Sequence, residues 1–290
     1  MTRVPEEALW LGSGTIPTDQ AQCRALIRSA LTEAGAQLSA SALDRLAVTY
    51  AEPPAIAEAS LDLSGVRIDP IDGADDAKNH VPQARLVEVE QPAGIEKLTV
   101  RAEPLHLQEA DIGVELDADQ VAFSWLRDTE GGLWINLPEQ QPDGFGGRAA
   151  LTFNVTDVVA VVRTIVEKEV GEKGKLSEFD ATLEVQPPQE QQQRISVNGV
   201  LAFRYGIVGA RVRVAAVGRL HNADGRVVLE DLKVTSRHPL LALGLRIYRS
   251  MITRVVGRSW SPSESVPGVT VTNVEITQYG NDIRGTCEFS

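Results

Sequence analysis

Six basic residues, Lys233, Arg237, Arg246, Arg249, Arg254 and Arg258, fall between Leu232 and Ser263 with no Asp or Glu among them. The 290-residue chain carries a formal net charge of −12, so removing those six cations leaves the remainder at −18. A guanidinium presents paired N–H donors that match phosphate oxygens, and this spacing therefore points to contact with an anionic surface. The same window holds a strong amphipathic helical pattern. Advancing about 100° per residue, Leu240, Leu241, Leu245, Ile247, Tyr248, Met251, Ile252, Val255 and Val256 gather on one half of the wheel. Arg246, Arg249, Ser250, Thr253 and Arg254 gather on the other, and Leu243 alone breaks the division. Pro239 suits the first helical position, and Gly257 followed by Pro262 supplies the stop. A packing helix with a solvated basic face is the competing reading.

Other chemistry has little support. His80, His106, His221 and His238 lie in separate segments, and neither a Ser/His/Asp set nor a nucleophile elbow or phosphate loop appears. Gly144–Gly147 reads Gly-Phe-Gly-Gly after a Pro-Asp turn and is expected to be a loop. Asp72, Asp75 and Asp76 sit in a polar loop from Pro70 to Pro82 without the spacing of a calcium loop. Glu167, Glu169, Glu172, Glu178 and Asp180 alternate with lysines on what reads as a solvated face. Cys23 and Cys287 have no metal-ligand spacing and read as unrelated thiols. The expectation is a protein that is not an enzyme, with no catalytic residue, no metal and no cofactor. Its acidic balance argues against nucleic acid as partner. With no apolar run near the roughly 18 residues of a spanning helix, the expected location is cytoplasmic, with peripheral contact to a membrane.

The elements that would position the basic helix follow from periodicity. At 43% hydrophobic content the chain can bury a substantial core. Residues 1–18 read as a flexible tail, with Trp10 either an anchor or incidental. A helix is predicted from Asp19 through Cys23, Leu26, Ile27, Ala30 and Leu31 to Gly35, and a short one from Ser39 through Leu46. The first strand is expected at Leu61 to Ile68, followed by an antiparallel meander at Leu86–Val89, Ile95–Val100, Leu105–Leu116, Val121–Trp125 and Leu133–Leu137. A second long helix should begin at Thr156 or Asp157. Strands then follow at Phe179–Val185, Ile195–Tyr205, Val208–Leu220 and Val227–Val234, with a tight turn at Asn222–Gly225 and a closing hairpin at Val266–Gln278 and Ile283–Phe289. The order helix, meander, helix, meander suggests an α+β fold of two related halves, 19–150 and 151–290. In each, a long curved antiparallel sheet wraps around an amphipathic helix.

From the helix near Thr156 onward, the succession LSEFDATLEVQP, RISVNGVLAFRYGIVGARVRVAAVGRL, NADGRVVLEDLKVTSRHP, amphipathic helix and VPGVTVTNVEITQYGNDIRGTCEF resembles the LmeA-type phospholipid-binding proteins. These belong to the tubular-lipid-binding group that includes the bactericidal/permeability-increasing protein. The resemblance spans roughly residues 95–289 and is one of pattern. It implies non-enzymatic binding of phospholipid or a similar amphipathic lipid in an apolar groove between helix and sheet. The lining it implies is Leu241, Leu245, Tyr248, Ile252 and Val256 on the helix facing Val200, Phe203, Val212 and Val214 on strands, with Arg246, Arg249, Arg254 and Arg258 toward anionic headgroups. Many members carry a leader or lipid anchor that is not evident here. The alternative is a structural or protein-interaction module with a fully packed core and no ligand.

Overall fold

The computed structural model describes residues 2–5, 7–33, 36–37, 44–68, 85–170, 174–205, 208–236, 255–264 and 268–290. Strands make up most of the described residues, among which two α-helices occur. The chain divides into two compact units, Met1–Leu151 with Val266–Thr270 and Glu288–Ser290, and Thr152–Ser265 with Val271–Cys287.

In the first unit, β6 (Val87–Leu107) and β7 (Ala110–Asp128) form one long antiparallel ladder. Around it lie β3 (Ala47–Glu52), β4 (Ala55–Asp62), β8 (Gly132–Asn136) and β9 (Gly146–Asn154), in the order β9-β7-β6-β4-β3 with β8 on β7. Over the expected meander β6, β7 and β8 do pair antiparallel, but the sheet as a whole is mixed, because β4 and the short β5 (Arg67–Ile68) both run parallel to β6. The run Leu105–Leu116, read as one strand, is folded back at Gln108, whose φ of 55° makes a turn that glutamine does not advertise. Strand structure also starts earlier than Leu61, because Ala47–Glu52 and Ala55–Asp62 make a hairpin around Pro53–Pro54.

The first residues are not a loose tail. β1 (Leu9–Ser13) pairs antiparallel with β8, Val4 and Ala8 are buried, and Trp10 packs against Trp134 with ring centroids 6.3 Å apart. Helix α1 (Gln20–Glu33) is N-capped by Asp19, whose Oδ1 accepts from Gln22 N at 2.9 Å. Its apolar side meets the sheet through Cys23 and Ile27 against Leu46, Val48, Ile56 and Ala59, and through Leu26 against the Phe123–Trp125–Leu133 cluster. The short helix expected at Ser39–Leu46 and the Asp72, Asp75 and Asp76 loop lie largely or wholly outside the described residues. Of the Gly-Phe-Gly-Gly run, Gly144 (φ 94°) makes the turn and Gly146 opens β9. A Cβ at Gly147 would stand 2.1 Å from the Asp117 carbonyl oxygen, so β9 can approach β7 only with glycine there.

Among the described residues of the second unit the expected strands and the helix near Thr156 fall close to their predicted places, while the basic helix expected from Pro239 lies almost wholly outside the described residues. Helix α2 (Val155–Val170) starts where Asn154 Oδ1 accepts from Thr156 N at 2.9 Å, and Asp157 places negative charge in the first turn. It packs against β10 (Gly174–Val185). β10, β11 (Gln192–Tyr205), β12 (Val208–His221), β13 (Val227–Ser236) and the two-residue β14 (Ser259–Trp260) form one antiparallel sheet in chain order. β15 (Val271–Tyr279) and β16 (Asp282–Phe289) make the closing hairpin. The turn at Asn222–Gly225 closes on a His221 N–H to Arg226 carbonyl bond of 2.8 Å, with Gly225 at φ 67°.

The β15 edge is joined to the five-stranded sheet by side-chain amides that stand in for peptide groups. Gln193, 1% exposed, accepts from Ile276 N at 2.9 Å and donates to Ile276 O at 2.7 Å, completing a ladder rung with its own amide. Gln278 does the reciprocal, accepting from Val185 N at 2.8 Å and donating to Leu183 O at 2.9 Å.

Candidate functional site

Alternation along a strand decides which residues of the five-stranded sheet share a face. Directly opposed residues project together, so Leu183–Val197–Ala216–Leu232 is one transverse row and Phe179–Leu201–Val212 another. Extended over the sheet, this face carries Leu176, Phe179, Ala181, Leu183 and Val185 on β10, and Ile195, Val197, Gly199 and Leu201 on β11. β12 adds Ala210 to Leu220 at alternate positions. A one-residue bulge at Glu230 keeps Val227 and Leu229 on the same side as Leu232 and Val234 of β13. The face has no charged residue.

What sets this surface apart is how little of it is buried. Among those of its side chains whose burial is described, only Leu176, Ala210 and Leu220 are buried, and Val197, near its middle, is 37% exposed. Among the described residues, the clusters of buried apolar side chains lie in the first unit, between Val4 and Leu137. Helix α2 behaves like the sheet: Val158, Val159 and Val166 are half-buried, and Val162 is 40% exposed. From Val212 to Leu220 the face runs eight residues, roughly 27 Å. That exceeds the depth of one bilayer leaflet's hydrocarbon, about 15 Å.

Of the strand residues expected to line the groove, Val212 and Val214 lie on this apolar face, opposite Leu201 and Gly199. Phe203 is placed in the same alternation, opposite Leu176 and Ala210. Val200 is a correction. Its register partners are Asp180 and Arg213, which puts it on the charged face instead, because it is one residue out of phase with the others. Leu241, Leu245, Tyr248 and Ile252, with Arg246, Arg249 and Arg254, lie outside the described residues. Val256 is half-buried and Arg258 exposed in the turn that returns to β13, where Gly257 N donates to Leu229 O at 2.7 Å and Leu229 N to Arg258 O at 3.1 Å. Gly257, at φ 85°, takes the left-handed conformation expected of a helix stop. The sequence reading missed most of the face, from Leu176 through Val234. The signal was present in the unbroken alternation of four consecutive strands, but it becomes a surface only when register is known.

Several polar groups elsewhere are held in local structural bonds. His106 Nδ1 lies 2.6 Å from Asp111 Oδ1 on the paired ends of β6 and β7. Glu167 pairs with Arg163 at 2.9 Å and Glu178 with Arg211. Cys23 Sγ lies 2.9 Å from Tyr50 Oη, and burial pushes the Cys23 thiol above its usual value, the opposite of what a reactive thiolate requires. Cys287 is half-buried, and neither it nor Cys23 is in a disulfide. Among the described residues there is no group of three or more His, Cys, Asp or Glu that could hold a metal ion, and no helix long and apolar enough to cross a membrane.

Fold and site together define a mostly-β protein whose second unit presents a broad, under-buried aliphatic sheet face. Comparison with protein-family models, with curated proteins and with solved structures gave no match.

Proposed function

We propose that this protein binds phospholipid or a similar amphipathic lipid without chemically altering it. The acyl portion would lie along the aliphatic face of β10–β13, in the manner of the tubular-lipid-binding group that the sequence resembles. The observation that carries this reading is the face itself: four strands of aliphatic side chains, long enough for an extended acyl chain, of which, among the described side chains, only Leu176, Ala210 and Leu220 are buried. Each methylene of a chain removed from water there contributes about 0.8 kcal/mol, so partial coverage suffices for useful affinity. Arg246, Arg249, Arg254 and Arg258, in the acid-free segment 232–263, are the groups proposed to meet anionic headgroups.

The test is native mass spectrometry after gentle purification, together with binding of a fluorescent fatty-acyl probe. Co-purifying lipid and saturable probe binding are expected for the unaltered chain. Leu201→Glu and Val214→Glu, which place charge on the face, are expected to remove both while leaving the far-ultraviolet circular dichroism spectrum unchanged. Probe binding that survives these two substitutions would overturn the assignment of the face. A chain that carries no lipid and ignores the probe would favour the packed interaction module.

A further inference from the structure

The opposite side of the same unit holds a polar cleft of about 370 Å³ beside the tip of the β10–β11 hairpin. Glu190, Gln189, Gln192, Arg194, Arg219 and Glu230 are among its lining residues. Arg194 and Arg219 stand directly opposite each other on β11 and β12, an arrangement of like charges that needs compensation. Half of that compensation is internal. The bulge in β13 leaves Glu230 outside the ladder, where its Oε1 lies 2.5 Å from Arg219 Nη2, while Arg219 Nη1 donates to Gln192 Oε1 at 3.0 Å. Arg219 is thus neutralised and fixed in orientation.

The other two charges are not. Arg194 and Glu190 are both exposed, and among the described residues neither side chain has a hydrogen-bond or ion-pair partner. The cleft therefore offers one free cation and one free anion that face the same space without pairing with each other. The tip that carries Glu190 is closed by reciprocal backbone bonds between Gln189 and Gln192 of 2.8 and 2.9 Å. Glu190 and Gln191 both take positive φ, 50° and 60°, in a two-residue turn that ordinarily selects Asn-Gly. Non-glycine residues held in that conformation are characteristic of sites where side-chain identity matters more than local ease of folding. Behind the tip, the buried amide of Gln193 fixes β11 to β15 and gives the cleft a rigid base.

We propose that this cleft binds a small zwitterion, an oxyanion held by the Arg194 guanidinium with Gln amides beside it and a primary amine held by the Glu190 carboxylate. A lone phosphate or carboxylate would leave Glu190 unpaired and meet the negative charge of the rest of the chain. A ligand carrying both signs satisfies both groups. The site stands apart from the aliphatic face and does not rest on the lipid reading.

The experiment is titration calorimetry on the full chain with three probes: O-phosphoethanolamine, inorganic phosphate and ethanolamine. O-phosphoethanolamine is expected to bind at least about tenfold more tightly than either half-ligand. Arg194→Gln should reduce its affinity to that of ethanolamine, and Glu190→Gln to that of phosphate. Both residues are exposed, and Gln191 already shows that glutamine accepts positive φ, so unchanged unfolding midpoints are expected for both variants. The proposal is overturned if no probe binds, if the half-ligands match the zwitterion, or if Arg194→Gln binds as the unaltered chain does. Vesicles containing phosphatidylethanolamine distinguish the source: capture that is lost with both substitutions identifies a lipid headgroup, whereas binding of the free probe alone identifies a soluble zwitterion. Leu201→Glu is expected to leave this titration unchanged.

Discussion

Asp128 has no exposure at all, yet it sits in the molecule as an anion because every face of its carboxylate is met. Oδ1 accepts from Glu130 N and Gly132 N, each at 2.8 Å, Oδ2 accepts from Trp134 Nε1 at 3.0 Å, and Arg85 Nη1 lies 3.6 Å away. Burial pushes its pKa up, but the indole and the two backbone N–H groups, with Arg85 behind them, outweigh that cost and hold it below the ordinary 3.8. Gly132 is required in the same turn, since a Cβ there would come 2.3 Å from Oδ2. A folded-state value below the unfolded one contributes stability that is complete above the unfolded value and is lost as the pH falls through the folded one. Asp128→Asn keeps one carbonyl acceptor but turns its amide N–H groups toward partners that are themselves donors, Trp134 Nε1 and Arg85 if the carbonyl stays with the backbone. A loss of roughly 2 kcal/mol is expected at pH 7, measured by urea unfolding. The gap to the unaltered chain should narrow below pH 3.8, where its own carboxylate protonates. A gap that stays constant as the pH falls below 3.8 would mean that the charge of Asp128 contributes nothing.

At the level of elements, the amide rungs of Gln193 and Gln278 do what continuous strand pairing does elsewhere. Replacing Gln193 by Leu keeps the bulk but leaves Ile276 N–H and C=O, Gln186 C=O and one Asn222 amide hydrogen without their partner at a site closed to water. The expected cost is about 3 kcal/mol. Gln278→Leu acts at a half-buried position and is expected to cost about 1 kcal/mol, since water can reach the freed groups. Equal losses in urea unfolding would contradict this account of Gln193. Such contacts also mark where the sequence stops being readable. Val227–Val234 and Ile195–Tyr205 declare themselves by alternation, and Asn222–Gly225 by its turn residues, because those signals are local. The fold-back at Gln108, the parallel pairing of β4 with β6 and the incorporation of β1 have no local signature. They depend on partners far along the chain: Leu9 with Ile135 in one case, Ile56 with Ile95 in another. The candidate site shows the same division. Its aliphatic composition was legible, but the assignment of Val200 to it failed because face membership is a matter of register.

Across the whole molecule, apolar burial is distributed unequally. The first unit closes Cys23, Leu46 and Ile56 under α1, Leu126 and Trp134 under the N-terminal segment, and Phe123, Trp125 and Leu133 between them, all nearly free of solvent. In the second, hydrogen-bonded ladders are long but the aliphatic face they carry stays largely half-buried. Ladders without a packed face open more readily, because little apolar surface has to be re-exposed when they separate. Amide hydrogen exchange should therefore be slowest in β6 and β7 and faster along β11 and β12, although all four strands are paired on both sides. If a hydrocarbon chain completes the second unit, it binds the folded form alone, and its free energy adds to the opening free energy of those strands. Delipidated protein supplied with a long-chain phospholipid should then show slower exchange in β10–β13 and little change in β6–β7. With lipid at a hundredfold excess over its dissociation constant, the added protection corresponds to about 2.7 kcal/mol. Equal protection of the two units in the lipid-free chain would show that the aliphatic face is already fully supported by the protein's own side chains.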